Sequence, residues 1–198
     1  MRWDSLFDDL ESQLEHELNA DEVDLRAEEE RLRIGRLSLR ARLAALAASR
    51  VDGRIIRLEL LSGVVVAIRP ITFGKDWLSG DLVDGSRRDS QCIVPTAAVV
   101  AVLIDRSGVE PSLRSLAETP ERLADRIGVA FVLRDLCRRR KAIELVTTSG
   151  SVHGTIDRVG RDHLDLAVHE TGLPRRESSV SQYRIVPLER IQLVRIDD

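Results

Sequence analysis

The strongest constraint on what this chain can fold into is an internal repeat. Ile56, Leu58, Ser62 and Gly63 recur as Ile143, Leu145, Ser149 and Gly150, an offset of 87 residues. Gly74, Asp76 and Leu78 recur as Gly160, Asp162 and Leu164, and Ile93-Val94-Pro95 recurs as Ile185-Val186-Pro187. Val102 and Ile104 recur as Val194 and Ile196, by which point the offset is 92 residues. The second copy loses one residue before its glycine turn and gains several in a long hairpin. Such length changes fall at loop positions, where a duplicated unit tolerates them.

Within each copy the hydrophobic period is two. Ile56, Leu58 and Leu60 alternate with Arg57 and Glu59, as in a half-buried strand, and Ser62-Gly63 turns the chain into Val64-Val65-Val66. Further strands are expected around 77–83, 91–94 and 99–104, with Pro95 turning the chain where a ladder donor would be lost. In the second copy, strands are expected at Ile143, Leu145 and Thr147, at Leu164, Leu166 and Val168, at 184–186 and at 191–196. Residues 170–181 read as a long polar hairpin tip. A helix precedes each copy. Leu25, Leu32, Leu39, Leu43 and Leu46 mark one run ending before Gly53. Four of these leucines are seven residues apart, but no steady second core position accompanies them, so a coiled coil is left open. Thr119 as N-cap and Pro120 at the first helical position begin the other run, which continues through Leu123, Ile127, Phe131 and Leu136 to about Arg139.

The expected fold class is α+β, mainly β: an N-terminal helical arm followed by two helix-plus-five-stranded small barrels. The boundaries follow from the pattern: an acidic arm over 1–37, a first repeat over 38–105, a linker over 106–119 with room for one short helical turn, and a second repeat over 120–198.

Charge divides the chain differently. The net charge of −3 hides 12 acids and two bases in residues 1–30, against 21 acids and 28 bases in the rest. The chain is an acidic arm on a mildly basic body. Of the basic residues only Lys75 and Lys141 are lysines. That bias is typical of a GC-rich bacterial genome, and it favours planar guanidinium forks over point charges. In the arm, Trp3, Leu6, Phe7, Leu10, Leu14 and Leu18 form one stripe of a 3.6-period helix. The stripe either packs on the chain's own body or is a recognition helix for a partner's groove; Trp3, Leu6, Phe7, Leu10 and Leu14 are its candidate partner-binding residues.

A helix, five short strands with a glycine-centred first hairpin, and a Val-Pro turn between the last two strands resemble the Sm-like (LSm) barrel and the wider SH3-like small barrels. Ile143-Glu144-Leu145, Gly150, Gly154-Thr155-Ile156 and Asp162-His163-Leu164-Asp165-Leu166 follow the first Sm motif. The whole layout also resembles a group of actinobacterial proteins, from which no activity is carried over. The Sm resemblance implies assembly through edge strands and RNA binding through two loops. The sequence departs from it at Asp165, where the family has a polar Asn, and at Tyr183-Arg184-Ile185, which lacks the glycine of the second motif.

Catalytic constellations are missing. No Gly-x-Ser-x-Gly, phosphate-binding loop or dinucleotide fingerprint occurs, and the carboxylates concentrate in the arm. His163 and His169 share strand parity opposite Leu164, Leu166 and Val168, so both are expected to face outward. They are about 20 Å apart at ~3.3 Å per residue, too far to share an ion. Cys92 and Cys137 read as buried small hydrophobes. No catalytic residue, metal, cofactor or small-molecule substrate is therefore expected. No apolar run approaches the ~18 residues of a membrane span and no signal peptide is seen, so a cytoplasmic location without membrane association is expected. The strongest basic cluster is Arg134, Arg138, Arg139, Arg140 and Lys141, with Arg175 and Arg176 near it across the hairpin. It reads as a nucleic-acid contact, or as a helix C-terminus stabilised by cations or docking the acidic arm. The expected function is non-catalytic binding of a protein partner or of a second copy, with RNA binding as the alternative.

Overall fold

A computed structural model of the chain describes residues 22–49, 55–83, 90–114, 123–172 and 175–196. The stripe from Trp3 to Leu18, the proposed cap at Thr119-Pro120 and Gly53 lie outside these residues. The chain divides into two compact units, Met1–Leu39 and Arg40–Asp198.

In the first unit, helix α1 covers 22–35. Ion pairs one turn apart, Arg26 with Glu22 (3.0 Å) and Arg31 with Glu28 (3.4 Å), line its surface. The expected continuous run from Leu25 to Leu46 is interrupted at 36–38. Gly35 is a poor helix former, costing about 1 kcal/mol relative to alanine, and the Leu37 amide closes a turn on the Ile34 carbonyl (3.0 Å). Helix α2, Leu39–Ala48, belongs from Arg40 onward to the second unit, where it buries Leu43 and Ala45.

The second unit is built on ten antiparallel strands: β1 Ile56–Leu60, β2 Val65–Phe73, β3 Trp77–Leu82, β4 Gln91–Pro95, β5 Val99–Leu103, β6 Ala142–Thr147, β7 Gly150–Val159, β8 His163–Val168, β9 Gln182–Pro187 and β10 Ile191–Ile196. They lie in the order β5-β1-β2-β3-β4-β10-β6-β7-β8-β9. Two runs of five therefore share one pattern, with the fifth strand of each paired back onto its first. The registers agree as well: Leu58 faces Val102 as Leu145 faces Val194, and Trp77 faces Pro95 as His163 faces Pro187. Gly63 and Gly150 turn the first hairpin of each run at φ 79 and 117, which a glycine adopts without steric cost.

The hydrogen-bonded ladder does not keep the two five-strand runs apart but joins them in one sheet. β4 pairs with β10, placing Ile93 opposite Val194, Cys92 opposite Arg195 and Gln91 opposite Ile196. All ten strands thus belong to one open sheet ending at β5 and β9. An unpaired strand edge exposes a row of donors and acceptors, and here two such edges satisfy each other. Packing follows the pairing. One core cluster, around Leu133, Leu136, Ile143, Leu145, Leu164 and Leu166, takes in Trp77 and Ile93 from the first run. The other, around Leu43, Ile56, Leu58, Ile68 and Leu78, takes in Leu193 from the second. Burying Ile93 alone stabilises the junction by about 1.5–3 kcal/mol. Burial also pushes the Cys92 thiol up to about 12.

Two helical expectations are also corrected. The stretch at 106–119 holds a helix of eight residues, α3 Arg106–Leu113, longer than one turn. Arg42 donates to the buried Ser112 hydroxyl at 2.9 Å, and that hydroxyl donates to the Val109 carbonyl at 2.6 Å. The helix expected over 120–139 is divided into α4 Leu123–Arg126 and α5 Val129–Arg138. The reason is tertiary. The Ile127 carbonyl accepts from the Lys75 amide (3.0 Å) and from Trp77 Nε1 (2.9 Å), while Asp76 Oδ1 accepts from the Val129 amide (2.7 Å). The β2–β3 turn of the first run thus holds the helix break before the second. Arg40 adds a tie, donating to the Gly74 carbonyl at 2.7 Å and pairing with Asp125.

Leu133 is fully buried and Leu123 is exposed. Leu133→Ala is expected to cost about 2–5 kcal/mol in urea unfolding, and Leu123→Ala to stay within about 0.5 kcal/mol.

Candidate interaction surfaces

Helix α5 turns Leu133 and Leu136 into the core, which leaves Arg134 and Arg138 on its outer face. Arg134 donates to the Gly160 carbonyl at 3.0 Å. Arg138 and Arg139 both reach back to Asp135, at 2.5 and 2.7 Å. Partial burial would raise the Asp135 carboxyl, but the hydrogen bonds from Arg139 and Arg138 together hold it below its ordinary value. Arg140 takes a left-handed backbone, φ 53, just past the helix end, where the Lys141 amide returns to the Leu136 carbonyl (3.2 Å). Its guanidinium reaches Asp157 at 3.0 Å. Arg175, from the long hairpin, donates to the same carboxylate from Nε at 2.8 Å. Its hydrogen bonds to Asp157 raise the Arg175 guanidinium above its ordinary value.

The cluster is therefore a pair of arginine–aspartate knots with exposed rims. Arg138 and Arg139 share Asp135, and Arg140 and Arg175 share Asp157, so the hairpin does come to the helix end as its sequence suggested. Lys141 and Arg176 are exposed beside them; the Arg176 amide donates to the Ser179 hydroxyl at 3.0 Å. The residue that organises this region, Asp157, was missed. It lies where the β7–β8 register shifts between Ile156 and Arg158, and a bulge re-aims a side chain in a way that alternation does not reveal. The first run shifts at the matching place, between Pro70 and Thr72.

His169 corrects the parity argument. It is buried, not outward-facing, because β8 ends at Val168 and strand alternation stops with it. Its Nδ1 lies 3.1 Å from the Glu170 carbonyl and its Nε2 lies 2.9 Å from the Thr155 hydroxyl, so both ring nitrogens have hydrogen-bond partners. His153 stacks edge-on at 5.0 Å. His163 is half exposed and bonds to Asp162 at 2.8 Å. Trp77 is buried in the core. Among the described residues, no three His, Cys, Asp or Glu side chains are grouped to hold a metal ion, and no helix is long and apolar enough to cross a membrane.

The arm residues Trp3, Leu6, Phe7, Leu10 and Leu14 lie outside the described residues. Helix α1, which follows them, presents Leu25 and Leu32 at 62% and 53% exposure. They are two turns apart on one face, about 10 Å along the axis.

Asp157→Asn is expected to loosen the hairpin. Losing a charge-assisted hydrogen bond worth about 1.5 kcal/mol raises amide exchange at Ser179, Val180 and Ser181 by roughly tenfold. Unchanged exchange there would show that the two arginines do not hold the hairpin.

In comparisons with known proteins, no family model, no curated protein and no solved structure matches the chain.

Proposed function

We propose that this chain is a non-catalytic protein-interaction module. Its platform is a pair of small barrels of the Sm-like or SH3-like kind, fused through a shared sheet, and its acidic helical arm takes the partner. The observation that carries this reading is α1. Leu25 and Leu32 stay more than half exposed on one face, flanked by Glu22, Asp24, Glu28, Glu29 and Glu30. An apolar pair at two-turn spacing suits the groove of another protein. The surrounding carboxylates steer the helix toward a basic partner and make the encounter salt-sensitive. The stripe from Trp3 to Leu14 extends the same chemistry toward the N-terminus.

RNA binding is the second reading, supported by the exposed arginine rims at the end of α5 and by the Sm-like pattern of the second run. The occupied forks weigh against it. Two aspartates already take hydrogen bonds from four of the seven candidate cations, and a phosphate would have to displace them.

One experiment separates the two. Immobilised full-length chain, a Leu25→Ser/Leu32→Ser variant and an Arg138→Glu/Arg139→Glu variant are each exposed to cell extract and to mixed RNA at low and moderate salt. The adaptor reading expects a defined protein, retained by the wild type and by the arginine variant and lost at least tenfold from the leucine variant. Equal capture by all three would sink it. RNA retained with a steep salt slope, flattened in the arginine variant, would instead establish the second reading.

A further inference from the structure

The turn that grips the α4–α5 break has a twin in the second run. Gly74-Lys75-Asp76-Trp77 closes with the Gly74 amide on the Trp77 carbonyl at 2.8 Å, and the Asp76 carbonyl accepts from the Thr96 amide at 2.9 Å. Gly160-Arg161-Asp162-His163 closes with the Gly160 amide on the His163 carbonyl at 2.8 Å, and the Asp162 carbonyl accepts from the Leu188 amide at 2.8 Å. In both turns the last ring folds back over the first glycine. A Cβ at Gly74 would collide with the Trp77 indole, and one at Gly160 with the His163 imidazole. The two turns therefore present a backbone amide, a carboxylate and an aromatic ring at the same places.

Within the chain the first turn is filled by a helix start. Its groups take the Ile127 carbonyl and the Val129 amide. Gly128, the N-cap of α5, offers no side chain to close the helix, so Asp76 supplies the cap from another element. Behind it Trp77 and Ile93 pack with Leu133 and Leu136 in one core cluster. At the second turn, Arg161, Asp162, His163, Ile185 and Glu189 line a cleft of about 700 Å³ together with Ala130 of α5, a volume usual for a binding cleft. Ile185, which matches Ile93, is 74% exposed where Ile93 is 2% exposed. A hydrogen bond from His163 holds the Asp162 carboxyl below its ordinary value, so it is an ionised acceptor at neutral pH.

We propose that this cleft receives the first turn of a helix from a different protein, a start of the form apolar–glycine–apolar with no capping side chain of its own. That chemistry is copied from the segment seated on the twin turn. Asp162 caps the amide of the first helical residue, the Arg161 amide donates to the carbonyl two residues earlier, and the His163 ring covers that carbonyl. Ile185 meets the apolar side chains one and two turns on. The positive end of the helix dipole faces Asp162 and Glu189. The chain's own α2 fits less well. Aligned on the buried Leu43 and Leu133, it carries Arg40 where α5 has Ala130, and Arg40 is held by the Gly74 carbonyl and Asp125. It also starts after Ser38, a residue type that caps its own helix. The site uses the second run and none of the arm, and so goes beyond the adaptor reading.

The probe is an end-blocked synthetic peptide of residues 123–138, titrated into the isotope-labelled full-length chain at neutral pH and followed by amide chemical shifts. One-to-one binding is expected, with shifts centred on Arg161, Asp162, His163 and Ile185. Asp162→Ala alters an exposed side chain, is expected to melt as wild type does, and weakens binding roughly tenfold. A Val129→Pro peptide keeps a residue suited to the first helical position but has no amide to give. It is expected to bind wild type roughly tenfold more weakly and Asp162→Ala no more weakly than the parent peptide does, because the same hydrogen bond is already gone. Absence of binding up to the millimolar range overturns the proposal, as does an undiminished Val129→Pro loss on Asp162→Ala. So do shifts centred on Lys75, Asp76 and Trp77, which would mean exchange with the chain's own helix. If the chain titrated against itself gives the same shifts and twice the mass, the occupant is a second copy and the foreign helix is overturned. Leu25→Ser/Leu32→Ser is expected to bind the peptide as wild type does; failure to do so would assign the contact to α1. Loss of partner capture by that same variant reports on the adaptor reading alone.

Discussion

The pairing of β4 with β10 is the interaction on which the rest of this structure depends. It turns two runs of strands, each with two unsatisfied edges, into one sheet with only two ends. It also makes the cores interdependent, because Trp77 and Ile93 complete the second cluster while Leu193 completes the first. The same contact desolvates Cys92, and on β10 the side-chain Oε1 of Gln192 accepts from the Ser62 amide at 2.9 Å. Removing one run would expose apolar surface on the other, so neither half is a self-sufficient domain in the usual sense.

A second tie acts through helix geometry. The β2–β3 turn supplies two donors to one carbonyl, that of Ile127, and one acceptor to the amide of Val129. A helix that continued through Gly128 would spend those groups internally. The break instead sets the start of α5, and thereby where Leu133 and Leu136 enter the core and where the arginines leave it. Electrostatics then adjusts the surface. Each of Asp135 and Asp157 takes two guanidinium groups, which holds the helix end and the hairpin in place and lowers the charge offered to a ligand.

Much of this was legible from residues in order. Ile56, Leu58 and Leu60 with Ser62-Gly63 announce a strand and a hairpin, and their recurrence near 143–150 announces the second run, because alternation and glycine turns are local properties of the backbone. The arginine cluster and the nearness of Arg175 were also readable. Asp157 was not, since a bulge breaks the parity on which side-chain direction is inferred. His169 was assigned to the wrong side for a related reason: the strand ends one residue before it. The break at Ile127–Gly128 was invisible because its cause lies some fifty residues upstream, in Lys75, Asp76 and Trp77.

The sequence by itself determined the acidic arm, the basic body, the repeated strand pattern and the turns within each run. All of these follow from period, glycine placement and charge along the chain. Only the tertiary structure decided which edges meet. Every strand edge offers the same backbone donors and acceptors, so the choice of β4 for β10 is made by the side chains that become buried when they pair. That choice defines the repeat more closely than residue matching does: the two copies have the same strand order, but one of each pair of edges is filled and the other, at β5 and β9, is open.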